Sequence, residues 1–357
     1  MRVGILTGGG DCQGLNAAIR AVAKSLMLKC QAEIIGIEDG FAGLIERRVK
    51  PLSYTDCSGI LAQGGTILGT SNKASPFNYD GKDCSAQVMS YYKELDLDAV
   101  VVIGGDGTMS IAYQLANLGM NIVGVPKTID NDLMCTERTF GFDTAVAIVT
   151  DALDRLRTTG QSHKRIMILE TMGRYAGWIA LHAGVAGGAD VILLPEYPYE
   201  IDEVIKACKL RASYQHYSII VVAEGAKPKG GKLSVQQIVA DSPEPQRLGG
   251  IGEVLKLQLE QHLDVEVRAT CLGHVQRGGS PTANDRIFAT NVGCYAADLI
   301  ANQHYSMVVV QQNNKLTSVP LEQVANQTKS VSRNETVMKS ALALGISFGC
   351  PNMDEFA

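Results

Sequence analysis

Short aliphatic runs alternate with amphipathic stretches along most of the chain. "RVGIL" leads into glycines and then into "LNAAIRAVAKSLM", where Leu15, Ala18, Ile19, Val22 and Leu26 recur on one helical face. "AEIIGI" predicts a second strand. "LDAVVVIGG" is the unbroken, β-branched run expected of a strand covered on both faces. "MSIAYQLANLG" predicts a helix closed by a glycine, and "NIVGV" the strand after it. The alternation continues with a helix over "DTAVAIVTDALDRLRTT", a strand over "RIMILE", a helix over "YAGWIALHAGVA" and a strand over "DVILLPE". "DEVIKACKLRASY" and "YSIIVVAEG" extend it by one more helix and strand. Repeated units of this kind predict an α/β protein with mainly parallel sheets flanked by helices. Ligands are then expected at the carboxyl ends of the strands.

Bulk properties narrow the partners. The 357 residues are 46% hydrophobic and 19% charged, long enough for two domains around separate cores. A net charge of -5 argues against nucleic acid or an anionic membrane as the main partner. No apolar run approaches the ~18 residues that span a bilayer. The N-terminus lacks the apolar core and cleavage site of a signal peptide, so a cytoplasmic protein is expected. Nine scattered cysteines without a C-x-x-C pair are expected to be reduced and buried. Residues 226–250, rich in Gly, Pro and charge, predict a long surface excursion, and "CPNMDEFA" a frayed acidic tail.

Three turns carry the candidate chemistry. "TGGGDCQGLNAAIR" joins the first strand to the first helix, a place where backbone N–H groups favour an anion. It fits neither familiar motif: a dinucleotide fingerprint from Gly8 needs glycine where Gln13 stands, and a P-loop from Gly9 needs Lys and Ser/Thr where Leu15 and Asn16 stand. In "VVVIGGDGTMS", Gly104 and Gly105 permit close approach of a ligand. Asp106 would repel a bare phosphate, but suits a divalent cation that in turn holds phosphates. The third is "PKTIDND", with Lys127, Asp130 and Asp132. Phosphoryl transfer needs a cation site, donors for developing charge and a carboxylate to take a hydroxyl proton. Asp106 can serve the first need, and Asp130 or Asp132 the last. Arg165, Arg174, Arg268, His274 and Arg277 supply positive or polar groups for an anionic substrate.

In order and spacing, "GGGDCQGLNAAIR", "GGDGT", "PKTIDND", "SHKRI", "MGRYAG", "AEG" and "LGHVQRGGSP" resemble the phosphofructokinase family, from Gly4 to about Val310. The resemblance implies two domains, placed at residues 1–141 plus 276–326 (donor-binding) and 142–275 plus 327–357 (sugar-phosphate-binding). It also implies a homotetramer, an active site in the cleft between domains, and transfer of a phosphoryl group to the 1-hydroxyl of fructose 6-phosphate. Gly10 and the turn Gly105, Asp106, Gly107 and Thr108 match the donor contacts, and Asp106 the Mg²⁺ aspartate. Asp130 matches the general base, with Thr128, Ile129 and Asp132 beside it, and Arg174 the bridge to the transferring group. Met172, Gly173, Glu224, His274, Val275, Gln276 and Arg277 match the sugar-phosphate side. Arg165 and Arg268 match contacts reaching in from a neighbouring subunit.

Departures from the family pattern also carry expectations. Asn72 and then Lys73 stand where short bacterial enzymes carry an arginine near the nucleotide. At the effector site Arg20, Lys24, Arg157 and Asp190 have counterparts, whereas Tyr54 replaces an arginine and residues 213–217 lack lysines. Regulation is therefore expected to differ from that of the short bacterial enzymes. Gly107 follows the ATP-type pattern and Lys127 the pyrophosphate-type one. Glycine leaves room for a nucleotide, so ATP is the expected donor. The alternatives are a pyrophosphate-dependent enzyme, another kinase sharing the G-G-D-G-T turn, and a non-catalytic regulatory subunit, which would be expected to lose Asp106, Asp130 or Arg174.

Overall fold

The computed structural model describes residues 1–238 and 246–351. The chain opens with β1 (Arg2–Thr7), α1 (Leu15–Cys30), β2 (Glu33–Ile37), α2 (Phe41–Ile45), β3 (Val49–Leu52) and α3 (Ser85–Glu94). Next come β4 (Ala99–Gly104), α4 (Asp106–Asn117), β5 (Ile122–Thr128), β6 (Phe140–Gly141), α5 (Phe142–His163), β7 (Ile166–Thr171) and α6 (Trp178–Ala186). After these run β8 (Val191–Leu193), α7 (Ile201–Ala212), β9 (Ser218–Ala223), β10 (Val235–Ile238), β11 (Gln246–Leu248), α8 (Ile251–Glu260) and β12 (Val267–Cys271). The described chain closes with α9 (Ala283–Ala301), β13 (Met307–Gln312), β14 (Lys315–Pro320) and α10 (Thr336–Ala343).

Two compact units form, one from Met1–Thr144 with Arg277–Thr328, the other from Ala145–Gln276 with Lys329–Ala357. In the first, the strand order is β14-β13-β5-β4-β1-β2-β3, with β6 paired to β5. β4 lies between β1 and β5 and is parallel to both. Their residues are buried almost throughout, as the aliphatic runs predict. The predicted face of α1 is buried at all five positions. It packs close to α9: a Cβ on Gly293 would lie 2.8 Å from the Ala21 Cβ and 2.9 Å from the Ala18 carbonyl oxygen. The edge pairs β2–β3 and β13–β14 of the first unit's sheet are antiparallel, whereas in the second unit the order is β12-β7-β9-β8, parallel throughout.

Several local expectations are corrected. "NIVGV" does not end its strand: β5 runs on through Lys127 and Thr128, which pair with Phe140 and Gly141 of β6. The fourth helix starts at Asp106, three residues before its apolar pattern, so "DGT" is its first turn. The sixth starts only at Trp178, because Gly177 donates its N–H to the Glu196 carboxylate, 3.0 Å away, and closes the preceding turn. β8 covers only Val191–Leu193 of "DVILLPE". The excursion at 226–250 contains an antiparallel ribbon of β10 and β11. Its residues 239–245, and 352–357 of the expected tail, lie outside the described residues. The cysteines are free, but burial holds only for Cys12, Cys57 and Cys208, and Cys271 is exposed. No described helix is long and apolar enough to cross a membrane.

The hairpin of β13 and β14 was not read from the sequence, although a signal for it exists. Asn313 and Asn314 sit at φ 51° and 62°, the backbone that a two-residue turn of this twist demands and that asparagine tolerates.

A buried carboxylate joins the starts of two helices. Asp285, in the first turn of α9, accepts from the Thr144 N–H at 2.8 Å and the Thr144 hydroxyl at 2.5 Å. Thr282 caps α9 by accepting from the Asp285 N–H at 3.2 Å, and its own hydroxyl donates to Asp143 at 2.6 Å. Removing this carboxylate leaves two buried donors of α5 without an acceptor. Asp285→Ala is therefore expected to cost about 2–3 kcal/mol, read as a lower urea midpoint for the first unit's transition.

Candidate functional site

In parallel neighbours the carboxyl ends share one sheet edge, so the three candidate turns after β1, β4 and β5 are brought together. Turn one lies against turn two. The Gly8 N–H donates to the Ile103 carbonyl at 2.9 Å, and the Thr108 side chain, only 5% exposed, fills the space beside two glycines. A Cβ on Gly8 would come within 2.7 Å of Thr108 Cγ2, and one on Gly104 within 2.3 Å of the same atom. Thr108 is thus a spacer between the turns, a packing role that its place in the motif did not reveal.

Turn one is also tied on its other flank. The Gly9 N–H donates to the Ser71 carbonyl at 3.1 Å, and the Thr70 hydroxyl donates to the Gly9 carbonyl at 2.6 Å. Asn72 and Lys73 follow at once and are exposed beside it. Arg277 reaches the same turn, donating to the Asp11 carbonyl at 3.1 Å, and a Cβ on Gly10 would sit 2.9 Å from its Nη1. Two residues missed in the sequence support the arrangement. Gln13 donates to the Gly278 carbonyl at 2.6 Å, and Asn16 holds the Gln63 and Gly64 carbonyls and the Ile67 N–H.

Turn two exposes Gly107, and a Cβ added there would meet nothing within 4 Å. Asp106 lies in the first turn of α4, half-buried, with Gly105 as the N-cap. In turn three Ile129 is fully buried, so only its backbone can meet a ligand. The Asp130 N–H donates to Thr128 Oγ1 at 3.1 Å, and Asp130 and Asp132 are half-buried. Asn131, which was not singled out, shapes this turn: its Oδ1 accepts from the Thr139 N–H at 3.0 Å, and the Thr139 hydroxyl donates to the Thr128 carbonyl at 2.7 Å.

Lys127 is 3% exposed, and its ammonium donates to the Gly10 carbonyl at 2.5 Å. Burial pushes its pKa down; Arg277 acts in the same direction, against Cys12, Asp11 and Asp130. The neighbouring Cys12 thiol is pushed up to about 12, mainly by burial, and is inert near neutral pH.

The second sheet repeats the geometry. β12, β7 and β9 are adjacent and parallel, so Met172, Gly173 and Arg174 after β7, Glu224 after β9 and residues 273–276 after β12 leave one edge. Gln276 is fully buried, and its Oε1 accepts from the Met172 N–H at 3.2 Å. His274 and Val275 are exposed. Gly225 is required by close approach: a Cβ there would lie 2.0 Å from the Arg174 carbonyl oxygen. Arg165 and Arg268 are not brought to this edge. Arg165 precedes β7, Arg268 lies near the start of β12, and both pair with Glu266. Of the expected effector residues, Lys24 donates to Ser58 and lies over the Tyr54 ring, Arg157 donates to the Gly188 carbonyl, and Asp190 pairs with Arg211 at 3.1 Å.

Known proteins resemble this chain over most of its length. A family model described as phosphofructokinase matches residues 2–300. ATP-dependent 6-phosphofructokinase 2 of Clostridium perfringens is 48% identical, over 97% of this chain and 98% of its own length. The pyrophosphate--fructose 6-phosphate 1-phosphotransferase of Amycolatopsis methanolica is 45% identical, over 93% of this chain and 96% of its own length. The crystal structure of Pichia pastoris phosphofructokinase superimposes with a TM-score of 0.79 at 30% identity, covering 90% of this chain and 35% of that longer one. The chain belongs to the phosphofructokinase family.

Proposed function

We propose that this protein is a 6-phosphofructokinase that transfers the γ-phosphoryl of ATP to the 1-hydroxyl of fructose 6-phosphate, giving fructose 1,6-bisphosphate in glycolysis. The observation that carries the donor assignment is the open space over Gly107, on the edge where the three turns meet. A nucleotide can lie there, whereas a side chain would fill it. Pyrophosphate is the second reading, favoured by Lys127 and by the relative named for that donor.

In this reading Asp130 accepts the proton of the attacking hydroxyl, and Thr128 Oγ1 fixes the backbone that carries it. Arg174 bridges the transferring group and neutralises its growing charge. Met172, Gly173, Glu224, His274, Val275, Gln276 and Arg277 hold the sugar phosphate, while Gly10, Asn72, Lys73 and residues 105–108 hold the donor. Among the described residues no cluster of three or more His, Cys, Asp or Glu could cage a metal. Mg²⁺ commonly binds through one or two carboxylates together with substrate phosphates. Asp106 would hold the ion, with Asp132 nearby in sequence to the base, and the ion would supply charge neutralisation at the donor phosphates. Arg165 and Arg268 would serve a neighbouring subunit of a homotetramer. Effector responses would differ from those of the short bacterial enzymes, and the protein would act in the cytoplasm.

The test of this reading is a matrix of donors (ATP, pyrophosphate) against sugar phosphates on the purified protein. The expected outcome is turnover of fructose 6-phosphate with ATP, and faster turnover with pyrophosphate refutes the donor assignment. Asp130→Ser should lower kcat by about 10²–10⁴-fold, the range for loss of a positioned base, in a coupled assay of fructose 1,6-bisphosphate formation. Near-normal turnover removes Asp130 from that role. Gly107→Asp should fold normally, since the space is open, yet raise the KM for ATP by about 10-fold or more through steric filling and charge repulsion near the phosphates. An unchanged KM contradicts the steric account.

A further inference from the structure

Lys127 lies in the last residues of β5, just before the third turn, but its charged end serves the first turn. The side chain is buried, and its ammonium donates to the Gly10 carbonyl at 2.5 Å. A Cβ on Gly9 would lie 3.6 Å from the same nitrogen. The residue's own carbonyl oxygen meanwhile lies beside turn two, 3.4 Å from where a Cβ on Gly105 would stand. One residue therefore touches both neighbouring turns, through opposite ends.

Burying an ammonium is costly unless it is hydrogen-bonded and compensated. Here the Gly10 carbonyl accepts from it, and Asp11 and Asp130 attract it, against the opposing charge of Arg277. An amino group held on a backbone carbonyl is already committed to that carbonyl. Turn one needs such a hold: the carbonyls at Gly9 and Asp11 are taken by Thr70 and Arg277, and Gly10 stands between them. Successive carbonyls held outward on three different side chains leave the peptide planes little freedom.

We propose that Lys127 is a positioning residue, which pins the Gly10 carbonyl and so sets the backbone of residues 9–11 for the phosphoryl donor, rather than a ligand of the donor phosphates. This rests on the phosphotransferase reading above for its kinetic consequence, but not for its structural one.

The experiment compares wild-type protein with Lys127→Met, of similar volume and no charge, and with Lys127→Gln in parallel in case the first does not fold. Amide hydrogen exchange is followed in unliganded protein over the peptide spanning residues 8–13, and donor and acceptor KM are measured with kcat. The expected result is exchange at least about 5-fold faster in that peptide. Donor KM should rise about 10-fold, as for loss of one charge-assisted hydrogen bond that orders a binding turn, with the fructose 6-phosphate KM within about twofold. Unchanged exchange overturns the proposal. So does a fall in kcat of about 100-fold with donor KM unaltered, the mark of contact with the transferring phosphoryl group. Faster exchange with unchanged kinetics also overturns it. Because exchange is read without ligand, a wild-type protein that does not use ATP refutes the functional reading, while the peptide still decides the role of Lys127.

Discussion

Parallel pairing of β1, β4 and β5 side by side is the constraint on which the first unit's chemistry depends. Strands that run the same way and touch must end at the same edge, so three segments far apart in sequence become adjacent turns. Pairing alone sets their positions only coarsely. Side chains supply the finer setting: Thr108 wedges between Gly8 and Gly104, Arg277 lies on Gly10, and Lys127 reaches across to the Gly10 carbonyl. The glycines are partners in those contacts, since each accepts a side chain where its own Cβ would stand.

The second unit obeys the same rule with different chemistry. Its adjacent parallel strands β12, β7 and β9 release a methionine-glycine-arginine turn, a glutamate-glycine turn and a short 3₁₀ segment at one edge. Buried Gln276 fixes one of these on the next through the Met172 N–H, and Gly225 lets the Arg174 carbonyl approach. Arg174 and Glu224 leave this edge, whereas Asp106, Asp130 and Asp132 follow the strands of the first unit. Arg165 and Arg268, both paired with Glu266, lie at the other end of the sheet.

The sequence made the alternation and the sheet class legible, because strands buried on both faces must be unbroken aliphatic runs, as "AVVVIG" is. It also made the motif residues legible, since carboxylates and glycines at strand ends are costly without a purpose. What it concealed was burial of polar groups. Lys127 reads as a charged residue of a turn, yet the structure puts it in a strand and out of water. Asn16, Asn131, Thr139 and Asp285 look like ordinary polar residues, and only the fold shows what each one holds. Helix starts were missed for a related reason. The first turn of α4, "DGT", carries no apolar pattern, and its helical state follows from the strand that feeds it. The Asn313–Asn314 turn was readable from residue type, and β13 opens on the aliphatic run "MVVV", but β14, "KLTSVP", is too polar to advertise itself.

The first unit is split in the chain, with residues 145–276 lying between its two parts. Its central sheet cannot be finished early. On an emerging chain β5 waits with one edge open until β13 is made, and α1 waits for α9. Closing a segment of that length costs on the order of 4 kcal/mol in chain entropy before any of those contacts repay it. The second unit is split as well, because its segment Lys329–Ala357 follows the first unit's last part, so it too waits for later chain. The unfinished edge of β5 is therefore where a nascent chain is most exposed to mispairing.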